Sequence, residues 1–174
     1  MSIMAAIAAA VALASTPAPS NQSLYGQIGD GYYVYKEEKS CALYSDYQSG
    51  TMMRLSYRTD EGVLYVMVVN PGWQQIVAGG SASLHAAFPD IGQGHGFAAA
   101  LVDIDGRKGF SCIVAPEFLD HYSRSEGLIL SIASADGSDE LEGFALDGGD
   151  EAVELLLSCS RSHFPPVSEY AAGA

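Results

Sequence analysis

Short apolar segments separated by glycine and aspartate, about ten residues apart, constrain the fold of this chain most strongly; such spacing is typical of antiparallel β-structure. In "TMMRLSYR", Met53, Leu55 and Tyr57 fall on one face while Arg54 and Ser56 fall on the other, which is the alternation of a half-exposed strand. The pattern predicts a mainly β fold, an antiparallel β-sandwich or flattened barrel of about nine strands with two short helices. The candidate strands are "GYYVYKE", "CALYSDY", "TMMRLSYR", "GVLYVMVVN", "SASLHAAF", "GFAAALVDID", "GFSCIVA", "GLILSIAS" and "LEGFALD".

Two segments have the spacing of short helices. In "PEFLDHYSRSEG", Pro116 can occupy the first turn without loss of a hydrogen bond, and Phe118, Leu119 and Tyr122 share one packing face. In "GGDEAVELLLSC", a glycine turn precedes carboxylates that favour the start of a helix through its dipole. Four residues of this second segment share one side, namely Ala152, Leu155, Leu156 and Cys159.

The beginning of the chain has the pattern of an export signal. An apolar run from Ile3 to Ala14 ends in Ala-Leu-Ala, the small-residue pattern that signal peptidase cleaves. The alternative is a buried or membrane-spanning helix, but the run is shorter than the roughly 20 residues that cross a bilayer core. We therefore expect a signal peptide over residues 1–14, a flexible N-terminal segment over 15–29, a single β-rich domain over 30–164 and a C-terminal tail over 165–174. The cleaved protein is expected to be periplasmic or secreted, without stable membrane insertion.

The charge of the chain restricts its partners. With 21 acidic and 8 basic residues, the formal net charge is -13. Nucleic-acid binding depends on neutralising phosphates with lysine and arginine, so neither nucleic acid nor an anionic membrane surface is expected as a partner. The acidity favours solubility through self-repulsion. An acidic patch for a basic partner is the alternative, and it would lie between Asp136 and Glu154, where no basic residue occurs.

Three cysteines leave one unpaired if the protein is oxidised outside the cytosol. We favour a disulfide between Cys41 and Cys159, because both lie at the ends of their predicted elements, where a bridge can form without opening a strand ladder. Cys112 lies between Phe110 and Ile113 inside a strand, as a buried thiol would. The alternative is a reduced protein with three free thiols.

The segments "CALYSDYQSGTMMRLSYR", "GVLYVMVVNPGW" and "FALDGGDEAVELLLSC" resemble small exported bacterial proteins related to the invasion-associated locus B family. The similarity in the last segment is carried by a strand, a glycine turn and an Ala-Leu helix, with Ala145, Leu146, Gly148, Ala152 and Leu155. The resemblance implies a β-rich periplasmic or secreted domain that interacts with the envelope or with a host. It supplies no catalytic residues that match this chain.

Motifs of catalysis and of metal or cofactor binding are incomplete. The glycines of "DIGQGHGF" are not followed by the helix of a dinucleotide-binding unit, and "DIDGRKG" has Arg107 and Lys108 where a calcium loop needs further acids. The four histidines have no zinc-ligand spacing, and no nucleophile elbow is present. We therefore predict no metal site, no cofactor and no catalytic residues. The alternative is a periplasmic hydrolase that uses His95 or His121 in a cleft.

Eight of the ten tyrosines lie between Tyr25 and Tyr65, and Trp73 follows them. Tyrosine supplies a large contact area with a polar tip, which suits recognition of a protein or a glycan. The leading hypothesis is therefore a non-catalytic binding domain whose contact residues include Tyr32, Tyr35 and Trp73. Two alternatives stay open: the tyrosines pack the core, or the protein is a purely structural envelope component.

Overall fold

The computed structural model describes residues 22–134 and 137–165. The predicted signal peptide and nearly all of the predicted tail lie outside this part of the chain. The sequence predicts a flexible segment over residues 15–29, but Ser23–Ile28 forms a strand, so that prediction is wrong for its second half.

Ten strands and two helices are present among the described residues. The strands are β1 (Ser23–Ile28), β2 (Tyr32–Lys36), β3 (Cys41–Asp46), β4 (Met52–Arg58), β5 (Val63–Asn70), β6 (Ser81–Phe88), β7 (Gln93–Ile104), β8 (Arg107–Val114), β9 (Gly127–Ser134) and β10 (Gly137–Ala145), and the helices are α1 (Glu117–Arg124) and α2 (Gly149–His163).

The ten strands form one open antiparallel sheet in the order β1-β2-β3-β4-β5-β8-β7-β6-β9-β10. The predicted mainly β class is confirmed, and all nine candidate strands are present. The additional strand is β1, which lies at the edge of the sheet. Its pairing with β2 is irregular between Leu24 and Gly26. A bulge of this kind interrupts the two-residue alternation from which a strand is predicted, so the sequence pattern did not reveal it.

Both helices pack on one face of the sheet, called the inner face here. α2 contacts β1 to β4 and also α1. Phe118 of α1 packs against Phe88 of β6, with ring centroids 5.4 Å apart. Gly148 precedes α2 with φ of 77°, a left-handed conformation that glycine adopts without strain. The predicted glycine turn and apolar helix therefore position the buried side of α2 against the start of the sheet.

The disulfide joins the start of β3 to α2. Cys41 and Cys159 are bonded, with Cα atoms 6.0 Å apart, and both side chains are buried. This agrees with the pairing expected from the sequence. Cys112 is a buried free thiol, and burial raises its pKa to about 12. The cross-link therefore ties an early strand to the last helix and leaves an unreactive thiol within the sheet.

The sheet curls so that its last strand meets the loop between β3 and β4. The carboxylate of Glu142 on β10 accepts hydrogen bonds from the hydroxyls of Ser49 and Thr51, and also from Nδ2 of Asn70 at 3.4 Å. We call these four residues the Glu142 clasp. Beside it, the rings of Tyr47 and Phe144 pack 4.7 Å apart. The sheet is therefore held in its curved shape by side chains from opposite ends of the strand order.

β5 lies at the centre of the strand order, but only one of its faces is fully covered. Its sequence is apolar on both faces, which predicts cover on both sides. Leu64, Val66 and Val68 are indeed buried on the inner face. On the opposite face, which we call the outer face, Tyr65 is 41% exposed. The prediction of cover on both sides therefore holds at Val69, which is fully buried on the outer face, and is wrong at Tyr65.

Candidate functional site

The three predicted contact residues do not form one surface. The exposed fractions of Tyr32 and Trp73 are only 7% and 6%, so both rings belong to the core. Tyr35 is half-buried on the outer face. Side chains on successive residues of a strand point to opposite faces, so two residues three apart, such as Tyr32 and Tyr35, cannot share a face. The predicted grouping is corrected on this ground.

Tyr32 and Trp73 have partners that explain their burial. The hydroxyl of Tyr32 belongs to a buried group with those of Tyr47 and Tyr122, and desolvation raises the pKa of all three well above the ordinary tyrosine value. Oη atoms of Tyr47 and Tyr122 lie 3.3 Å apart. Trp73 lies in the loop after β5 and stacks on Phe110, with ring centroids 6.0 Å apart. Core packing, the alternative left open by the sequence, therefore applies to these two residues.

The outer face carries four tyrosines, one of which, Tyr65, is well exposed. Tyr65 on β5 pairs directly with Ile113 on β8, and these side chains are 41% and 60% exposed. Along the same row of the sheet, Ser56 pairs with Tyr65, Ala42 with Ser56, and Tyr35 with Ala42. We define the tyrosine face as five residues of β2, β3, β5 and β8: Tyr33, Tyr35, Tyr44, Tyr65 and Ile113.

A polar network fixes one end of the tyrosine face. Arg54 of β4 forms an ion pair with Glu37 and donates from Nε to the hydroxyl of Tyr44 at 3.0 Å. The Tyr44 hydroxyl in turn donates to Glu37 at 2.9 Å, and Nε2 of Gln22 donates to the same hydroxyl at 3.1 Å. Burial raises the pKa of Tyr44, although Arg54 opposes the shift. The Tyr44 ring is thus held by neutral and charged partners, and it packs edge-on against Tyr35.

His95 and His121, the two histidines singled out for a hydrolase, lie together. His95 is on β7 and His121 is on α1, and Nε2 of the first lies 2.7 Å from Nδ1 of the second. Desolvation, and then the neighbouring His121, lower the pKa of His95. The remaining two histidines lie elsewhere, since His85 is on β6 and His163 ends α2.

Among the described residues, no nucleophile or orienting carboxylate is hydrogen-bonded to this pair. A histidine that acts as a general base requires a hydroxyl or thiol to activate, and a third group orients it. Among the residues that the structure describes, the only side-chain hydrogen bond of either histidine joins the two rings. Within the same residues, no group of three or more histidine, cysteine, aspartate or glutamate side chains is placed to hold a metal ion.

The acidic segment near the C-terminus contributes to structure. Glu142 belongs to the clasp, and Asp150 and Glu151 occupy the first turn of α2, where negative charge is favourable. Asp139 and Glu140 are exposed on β10, an edge strand, where charges discourage pairing with another chain. These roles account for five of the eight acidic residues between Asp136 and Glu154.

Neither of the described helices is of the length and apolarity that a membrane span requires. No protein-family model matches the sequence, and no curated protein sequence matches it.

The chain shares its fold with invasion-associated protein B from Bartonella henselae. The crystal structure of that protein superposes with a TM-score of 0.56 over 82% of this chain and 99% of the other, at 12% sequence identity. The likeness confirms, at the level of the fold, the resemblance noted in the sequence. Because identity with invasion-associated protein B is so low, the likeness extends to the arrangement of strands and helices alone.

Two features of the site were missed by sequence reasoning. Tyr33, Tyr44, Tyr65 and Ile113 could have been placed on one face by strict alternation once the strand registers were known. The registers depend on turns and bulges that the sequence shows only in part. The pairing of His95 with His121 joins a strand to a helix, and no local pattern indicates it.

Proposed function

We propose that this protein is an exported, non-catalytic interaction domain that binds a protein partner of the envelope or of a host through the tyrosine face. The observation that carries the proposal is the exposure of Tyr65 and Ile113 as a directly paired aromatic and aliphatic residue at the centre of a sheet. Interfaces between proteins are enriched in tyrosine and in well-packed apolar residues at their centres.

The shape of the tyrosine face supports a protein partner. The hydrogen-bonded sheet is a rigid platform, and the Arg54 network restrains the Tyr44 ring before binding. Preorganised side chains lose less conformational entropy when a partner binds. Ile113, at 60% exposure, offers an aliphatic contact that suits a protein surface better than a sugar ring. A glycan partner is the second outcome that the experiment below distinguishes.

Export is supported by two independent features. The Cys41–Cys159 disulfide is typical of oxidising compartments, and the structurally similar protein is described as invasion-associated. Mass spectrometry of protein recovered from the exported fraction tests this directly. The expected mass corresponds to cleavage after Ala14 and to a chain lighter by two hydrogens than the fully reduced form.

The binding test uses the double variant Tyr65→Ser/Ile113→Ser. Its matched control is Val77→Ser, which removes a 73% exposed apolar side chain from the loop after β5. Purified proteins are compared for association with membrane fractions from the producing bacterium and from host cells, before and after protease or glycosidase treatment. We expect the double variant to lose an association that the control keeps and that protease treatment abolishes.

Equal association of the double variant and the parent would refute the role of the tyrosine face. Loss by glycosidase but not by protease would replace the protein partner with a glycan. Circular dichroism of each variant verifies folding. All variants are expected to fold, because substitutions of exposed residues normally change the free energy of unfolding by no more than about 0.5 kcal/mol.

A further inference from the structure

We propose that His95 and His121 together bind one divalent transition-metal ion of the zinc class, with one ring nitrogen from each residue and with solvent completing the coordination. Imidazole nitrogen is the commonest metal ligand that proteins supply, and it suits zinc, copper and nickel. This site has only two protein ligands. It therefore does not conflict with the finding that the described residues hold no group of three or more possible metal ligands.

The two ring nitrogens converge on one position. Nε2 of His95 lies 2.7 Å from Nδ1 of His121, where the two rings share a hydrogen bond. A zinc ion bound at 2.0–2.1 Å from each nitrogen in tetrahedral geometry needs a nitrogen separation of about 3.3 Å. The rings must therefore separate by roughly 0.6 Å, which small side-chain torsions can supply. The ion would then replace the hydrogen bond between them.

The rings are held in place by the core. Phe88 lies against both of them, with ring centroids 6.1 Å from His95 and 5.9 Å from His121. Phe118 also packs against His95, with ring centroids 5.5 Å apart. Phe118 and Tyr122 anchor α1 in the core, so His121 is presented by a fixed helix. These aromatic neighbours keep the two rings together and limit them to small movements, as the side chains around a metal site do.

One charge near the pair favours a cation. Glu117 lies four residues before His121, on the same side of α1, and its negative charge acts on His95. A bound metal ion would be attracted by the negative charge of Glu117 without Glu117 acting as a ligand.

Isothermal titration calorimetry of the untagged full-length domain with zinc chloride tests the proposal. We expect one ion bound per chain at pH 7.5, and loss of binding in His95→Gln and in His121→Ala. The matched control is His85→Ala, since His85 is exposed and paired with Gly96 of β7. It should bind zinc as the parent does.

Imidazole NMR spectra of the parent protein give a readout that does not depend on variants folding. Added zinc should shift the ring signals of His95 and His121 and leave those of His85 and His163 unchanged. Absence of binding to the parent, binding that survives loss of both histidines, or shifts confined to the other two rings would each overturn the proposal. Because the pair lies under α1 on the inner face, these results are independent of the test of the tyrosine face.

Discussion

Removal of the Cys41–Cys159 disulfide should destabilise the domain by about 5 kcal/mol. The perturbation is the double variant Cys41→Ala/Cys159→Ala. The bridge spans a sequence separation of 118 residues, and a loop of that length loses about 16 cal/mol/K of unfolded-state entropy when it is closed in the chain-entropy model. At 25 °C this corresponds to about 5 kcal/mol, which is comparable to the net stability of many domains.

Urea unfolding followed by circular dichroism and tryptophan fluorescence measures the effect. Trp73 is the single tryptophan of the chain and is buried against Phe110, so its emission reports on the core. For slopes of about 1–3 kcal/mol/M, a loss of about 5 kcal/mol lowers the midpoint by roughly 2 M or more. A domain of modest stability would then be unfolded before urea is added.

The control is Cys112→Ala, which removes a buried sulfur without opening a loop. It should stay within the roughly 0.5–3 kcal/mol range of ordinary core substitutions. If the double variant loses no more free energy of unfolding than this control, the cross-link does not act through the unfolded chain and the reasoning is refuted.

Three further predictions concern the sheet and its buried polar groups. Gly109→Ala should destabilise the domain by about 3 kcal/mol or more in thermal unfolding, because the new methyl group would collide with the backbone carbonyl of Val68. The control Gly143→Ala should be tolerated, because the space around Gly143 is open. Equal melting temperatures of the two variants would contradict the close approach at Gly109. Tyr32→Phe should lower the free energy of unfolding by about 1–2 kcal/mol, because it removes one hydroxyl from the buried cluster of three tyrosine hydroxyls. Tyr33→Phe should be nearly neutral in the same urea experiment. The reverse order would mean that the faces of β2 are assigned wrongly. The pKa of His95 is lowered in the folded state, so its contribution to stability is present above the unfolded value near 6.5 and is lost as pH falls below it. In urea titrations between pH 7 and pH 5, the free energy of unfolding of His95→Gln should therefore fall less than that of the parent. An equal fall in both proteins would refute the assignment.

The strand pattern could be predicted from the sequence because each segment carries its own alternation and ends in turn residues. The turn between β7 and β8 is an example, since Asp105 and Gly106 both take positive φ there, as a two-residue hairpin requires. β1 was missed because its bulge breaks the alternation. The disulfide could be predicted because only three cysteines are present and Cys112 has the apolar neighbours of a buried thiol. The expectation that Cys159 ends its helix is wrong, since α2 continues to His163.

The contact surface was harder to predict because it depends on which face each strand buries. Tyr32 and Tyr35 are close in sequence, yet they lie on opposite faces of β2. Trp73 lies in a loop, where exposure is the usual expectation, but it is buried by stacking on Phe110. Such outcomes are set by long-range packing, and the pairing of His95 with His121 is another, since their separation in the sequence is 26 residues.

The Glu142 clasp separates two properties of the sheet that are usually coupled. Strand order and register are expressed in the backbone ladders, whereas the bend that brings the final hairpin over the β3–β4 loop is held by side chains: the clasp and, beside it, the packing of Tyr47 on Phe144. A change at Glu142 would therefore weaken the hold on the β9–β10 hairpin while every ladder stayed intact. The curvature of this domain could be altered, by substitution or by evolution, without redesigning its strand pairing.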